Sequence, residues 1–220
     1  MSAFLYPGTY RDSAGEEAIT LRNDGKTLSL RVRGTDFAGS DFDALELLGD
    51  AREAAAAAFT LDSTGTLCSF ELSFAMPMTV VTQLSRETAA LRVHFALGAP
   101  LPSGRIESEV VELALEFQGQ TFRSVGTSGW FEDELTDLQR RLPPGVYMLA
   151  CINCAFSDYS PYGHGCFGGL ACFRDAKEAY RKVNTKAALF EVWDRMTGFV
   201  QETYVCPEFE RRKPGAGYRG

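Results

Sequence analysis

Apolar and polar side chains alternate along most of the first 125 residues. Ile19 and Leu21 alternate with Thr20 and Arg22, Asn23-Asp24-Gly25-Lys26 interrupts, and Leu28, Leu30 and Val32 resume against Ser29, Arg31 and Arg33. Two period-two runs flanking Asp-Gly predict a β-hairpin. The alternation returns at Cys68, Phe70, Leu72 and Phe74, and again at Leu91, Val93, Phe95 and Leu97, where His94 falls on the polar face. Leu113, Leu115 and Phe117 lead through Gln118-Gly119 to Phe122, a further hairpin. One wet and one dry face per strand is the mark of an antiparallel sheet covered on one side. The expectation for residues 1–125 is therefore an antiparallel β-sandwich or half-barrel. Residues 34–40 read as irregular, residues 41–48 as a strand or a short helix, and Pro100 to Gly104 as a loop.

After Gly126 the period changes. Phe131, Leu135, Leu138 and Leu142 form a helical stripe, with Ser128 as the expected N-cap. Glu132, Asp133 and Glu134 occupy the first turn and Arg140 and Arg141 the last, each sign at the dipole end that stabilises it. Pro143-Pro144-Gly145 stops the helix, and Val146 to Ala150 reads as a strand entering Cys151. Helices are expected over 174–183 and 187–196, and a last strand over 199–205. The fold class is thus α+β, with a β domain at 1–125, a helix-containing region at 126–209 packed on it, and a mobile tail at 210–220.

Composition narrows the chemistry. A net charge of −7 argues against a nucleic-acid or anionic-membrane surface spread over the chain. Residues 1–8 lack the basic flank and apolar run of a secretory signal, and no stretch approaches the roughly 20 apolar residues of a membrane span. The cytoplasm is the expected compartment, where thiols stay reduced. No Walker loop, dinucleotide-binding glycine turn, H-E-x-x-H or G-x-S-x-G motif is present.

Five of the six cysteines fall in the final third: Cys151, Cys154, Cys166, Cys172 and Cys206. Cys151-Ile152-Asn153-Cys154 is a C-x-x-C after a strand, the turn with which zinc knuckles aim two sulfurs at one ion. Cys172 precedes the expected helix at 174, whose N-terminus favours a thiolate, and Cys206 is followed by Pro207. The expected ligands of a structural Zn2+ are Cys151, Cys154, Cys172 and Cys206, with Cys166 in reserve. The competing reading makes these thiols buried small hydrophobes.

The loop 156–170 interleaves Phe156, Tyr159, Tyr162 and Phe167 with glycines, and carries Asp158 and His164. It reads either as a surface presented to a protein or peptide partner or as apolar cover for the sulfurs. An enzyme using Cys166 with His164, or an open zinc position, is the rival. His94 reads as a plain surface histidine. Arg211, Arg212, Lys213 and Arg219 form a basic tail, read as solvated.

Cys151-x-x-Cys154, Asp158-Tyr159-Ser160-Pro161-Tyr162-Gly163, Cys172-Phe173-Arg174 and Glu202-Thr203-Tyr204-Val205-Cys206-Pro207-Glu208-Phe209 together resemble an uncharacterised family of bacterial proteins. The resemblance covers residues 151–209. It implies no activity, and it favours Cys172 and Cys206 over Cys166. The functional expectation is a cytoplasmic, zinc-stabilised binding or accessory protein that presents loop 156–170.

Overall fold

The computed structural model describes residues 3–50, 52–215, 217 and 218. The chain divides into two compact units: residues 1–77 with 89–142, and residues 78–88 with 143–220.

The first unit is built on antiparallel sheet. Among the described residues its strands are β1 (Phe4–Asp12), β2 (Gly15–Asn23), β3 (Leu28–Val32), β4 (Thr35–Gly39), β5 (Glu46–Leu47), β6 (Thr60–Leu61), β7 (Leu67–Cys68), β8 (Phe70–Val81), β9 (Arg86–Leu97), β10 (Glu109–Phe117) and β11 (Gln120–Arg123). The large sheet runs β11-β10-β9-β8-β1-β2-β3-β4-β5, and β6 pairs with β7 separately. Hydrogen bonding runs unbroken across these nine strands. Its dry face carries Tyr10, Leu21, Leu30, Phe37, Phe70, Phe74 and Phe95, all buried. Phe42, in the bend before β5, lies 5.7 Å from Phe74, 5.5 Å from Phe95 and 5.8 Å from Phe131 between ring centroids. Side chains from distant strands therefore share one aromatic core.

The turns explain the register. Gly25 takes a left-handed φ of 94°, and Asp24 Oδ1 accepts from the backbone N–H groups of Lys26 and Thr27 at 3.0 and 2.8 Å. Gln118 and Gly119 both have positive φ, the geometry of a two-residue turn that fits the twist of its strands. Arg33 and Gly34 do the same between β3 and β4, so residues 35–39 form a strand where the sequence reads as irregular. Residues 41–48 are mostly bends, with only the two-residue β5 regular. Ser69, at φ 54°, separates Cys68 from the strand that begins at Phe70.

Helix α1 (Arg52–Ala58) precedes β6, and α2 (Phe131–Arg141) buries Phe131, Leu135 and Leu138. The expected cap is corrected: Trp130, not Ser128, occupies the N-cap position and makes no side-chain cap bond. Glu134 instead ties the segment before the helix to its first turn. It is 2% exposed and accepts from the N–H groups of Gly126 and Ser128 at 2.7 and 3.0 Å, and from Ser128 Oγ at 2.6 Å.

In the second unit, the end of β8 pairs with β12 (Tyr147–Met148). A three-stranded sheet has the order β13 (Ser157–Tyr159), β14 (Leu170–Cys172), β15 (Gly198–Val200). Both C-terminal helices are shorter than expected. Residues 174–176 form a 3-10 turn before α3 (Lys177–Tyr180), and α4 (Lys186–Val192) runs into a second 3-10 turn at 193–195. The last strand ends at Val200, because Glu202 turns inward. Segment 210–212, expected to open a mobile tail, instead pairs with 153–155: Ala155 N–H donates to Glu210 O at 2.7 Å and Arg212 N–H to Asn153 O at 2.9 Å. Arg219 lies outside the described residues. No helix among them is long and apolar enough to cross a membrane.

Candidate functional site

The thiol cluster is assembled from three stretches of the second unit. Cys151 to Asn153 form a 3-10 turn closed by Cys154 N–H donating to Cys151 O at 3.0 Å. That turn hangs on the segment before Cys206, since Cys151 N–H donates to Tyr204 O at 2.8 Å and Ile152 N–H to Glu202 O at 2.9 Å. Cys172 ends β14, and its carbonyl accepts from Thr197 N–H at 2.7 Å. Backbone pairing thus brings Cys206 beside the C-x-x-C turn across more than fifty intervening residues.

Electrostatics show the same convergence. Burial pushes the Cys151 thiol up strongly, and the neighbouring charges of Cys154, Cys172 and Cys206 push it further, against a hydrogen bond from the Cys206 backbone N–H. Burial also raises Cys172, opposed by the Arg174 backbone N–H and guanidinium, with Cys206 and Cys154 adding to the rise. Glu208 N–H donates to Cys206 Sγ at 3.4 Å, and the Arg174 side chain also reaches Cys206. The charges of Cys206 and Cys154 further act on Lys177, which is ion-paired with Glu208 at 2.7 Å. Three sulfurs therefore accept backbone N–H donors, and two cations attend them. Arg174, which opens the 3-10 turn after Cys172, favours the thiolate first through its backbone N–H and then through its guanidinium.

All six cysteines are buried. The four sulfurs are electrostatic neighbours without forming a closed shell, since among the described residues no group of three or more His, Cys, Asp or Glu side chains is arranged to hold a metal ion as it stands. Cys154 belongs to an apolar cluster with Phe156, Ala171, Phe173, Tyr180, Val183 and Leu189, which keeps water from the sulfurs.

Loop 156–170 splits by side chain. Phe156, Tyr159 and Phe167 are buried, whereas Tyr162 is 82% exposed and its ring lies 5.0 Å from that of Phe190. Cys166 is buried; the His164 ring stacks on Tyr159 at 4.0 Å, with Nδ1 2.8 Å from Gly165 O. Asp158 is buried too and accepts from Tyr180 Oη at 2.8 Å. The sequence reading carried Glu202 only within the Glu202–Phe209 motif and missed that its carboxylate is fully buried. It also missed a contact in the first unit, where Ser73 Oγ lies 3.0 Å from His94 Nδ1. The alternation had placed both residues on wet faces of neighbouring runs, without giving their register.

The fold and the thiol cluster define a sheet-rich α+β protein with a cysteine-lined second unit. The chain belongs to a family of unknown function, DUF6304, which matches residues 4–157 and so includes Cys151 and Cys154. No curated protein and no solved structure matches it.

Proposed function

We propose that the chain is a zinc-stapled binding or accessory protein of the cytoplasm, with Cys151, Cys154, Cys172 and Cys206 as the metal ligands. The observation that supports this reading is the mutual electrostatic contact of four thiols drawn from three separate stretches, two of which pair through their backbones. Four thiolates around one zinc carry a net double negative charge, which Arg174 and Lys177 are placed to offset. Binding draws the sulfurs together, and structural zinc contributes about 10 kcal/mol or more in small domains. Four sulfur ligands leave no position for water, so the metal's role is structural rather than hydrolytic.

The surface offered to a protein or peptide partner centres on Tyr162, whose ring is tilted against that of Phe190. The buried aromatics of the loop serve as cover for the sulfurs. Metal analysis of purified protein, with reactive thiols counted before and after a strong chelator, tests the reading. One zinc per chain and four newly exposed thiols, mapped to these cysteines, are expected. Absence of metal, with thiol reactivity unchanged by chelator, overturns it. Release of only three thiols favours the open-position enzyme instead.

A further inference from the structure

The outer face of the large sheet in the first unit carries a groove of about 540 Å3, within the size range of small-molecule sites. Its floor is low because Ala75 and Ala114 present little side chain where a wet sheet face ordinarily carries long polar residues. Ser73 on β8 and His94 on β9 stand in this groove with Oγ and Nδ1 3.0 Å apart. Glu112 on β10 sits directly opposite His94 in the β9–β10 ladder and lines the same groove. Directly opposed side chains have Cβ atoms about 4.5–5.5 Å apart, so the exposed Glu112 carboxylate reaches the imidazole by side-chain rotation. Arg92 and Arg123 bring positive charge to the wall, Arg92 in an ion pair with Glu116.

We propose that this groove is an ester-hydrolysing site, with Ser73 as nucleophile, His94 as its base and Glu112 as the residue that positions His94. Hydroxyl, imidazole and carboxylate lie in a row on three adjacent strands, the order in which such a relay works. Ser73 Oγ attacks the ester carbonyl carbon while its proton passes to His94 Nδ1. The resulting oxyanion faces the Arg92 and Arg123 wall. Collapse breaks the carbon–oxygen bond to the alcohol, which leaves with the proton from His94. Water then attacks the acyl group, giving a proton to His94 that returns to Ser73 Oγ as the carboxylic acid departs. The substrate class is a small carboxylic ester.

The test is labelling of the intact chain with an alkyl fluorophosphonate at neutral pH, with the adduct located by peptide mass spectrometry. One adduct on Ser73 is expected, and it should also abolish hydrolysis of p-nitrophenyl acetate. His94→Gln retains a hydrogen-bonding side chain but no base, and should slow labelling at least about 100-fold while the thermal midpoint stays in place. Glu112→Gln should slow labelling of Ser73 at least about 10-fold with the thermal midpoint unchanged, and Glu112→Asp should recover part of the rate. No adduct on Ser73, or labelling of the His94→Gln variant at the wild-type rate, overturns the site and leaves a structural cross-strand hydrogen bond. Labelling of the Glu112→Gln variant at the wild-type rate removes Glu112 from it.

Discussion

Tyr159 Oη donates a hydrogen bond to Glu202 Oε1 at 3.0 Å across 43 positions of sequence. The second carboxylate oxygen accepts from Gly168 N–H at 2.7 Å, and the Glu202 carbonyl accepts from Ile152 N–H. One fully buried residue therefore holds both arms of loop 156–170 and the C-x-x-C turn. The exposed Tyr162 sits between the two clamped points, on a loop fixed from beneath.

Removing that clamp should be costly. Glu202→Ala takes the partner from a buried phenol and from the Gly168 N–H, and each buried group left unsatisfied costs about 1–3 kcal/mol. A loss of about 3 kcal/mol in urea unfolding is expected, with Glu202→Gln losing less because its amide oxygen still accepts. A Glu202→Ala midpoint equal to wild type would show that the clamp contributes nothing.

Much of the sheet was legible because period-two alternation and Asp-Gly or Gln-Gly turns are local signals. The strand at 35–39 was not, because Arg33 is a bulky residue in left-handed conformation that turn statistics do not favour. The turn at Cys151 to Cys154 was legible from its spacing. Helix lengths near it were not, since Phe173, Tyr180 and Leu189 turn toward a shared apolar cluster and tertiary packing cuts the helices short. Glu202 and the Ser73–His94 contact depend on strand register and long-range pairing, which no local window contains.

The choice among cysteines is separately testable. Cys206 sits beside Cys151, Cys172 and Arg174. Cys206→Ser should fall well below one zinc per chain after dialysis against a chelator, and Cys166→Ser should keep its metal. The reverse pattern, read by atomic absorption, would exchange the two ligands.

Asp43 should make stability depend on pH. Burial pushes its carboxyl up, opposed by a hydrogen bond with the Asp41 side chain, and its charge in turn adds to the burial that raises Glu109. A carboxyl whose folded pKa is raised favours the fold while protonated, and that contribution is lost as pH rises through the folded value. Asp43→Asn should therefore be the more stable protein at neutral pH, with the difference shrinking as pH falls toward the ordinary carboxylate range. Chemical denaturation at a series of pH values checks this, and a difference that grows on acidification would refute the assignment.

Cys68 is the sixth thiol and stands in the first unit, away from the cluster in sequence. It is 1% exposed, its Sγ lies 3.6 Å from Thr66 O, and burial followed by the Asp62 charge pushes its pKa up to about 11. Near pH 8 the thiolate fraction is then on the order of one in a thousand, and the thiolate is the form that alkylates. Native protein should leave Cys68 unmodified by iodoacetamide at that pH, while urea-unfolded protein labels it readily. Within the range where the fold persists, the native labelling rate should climb about tenfold per pH unit. Rapid modification of Cys68 in the folded chain near pH 8 would mean that the β7 segment opens far more often than its complete burial implies.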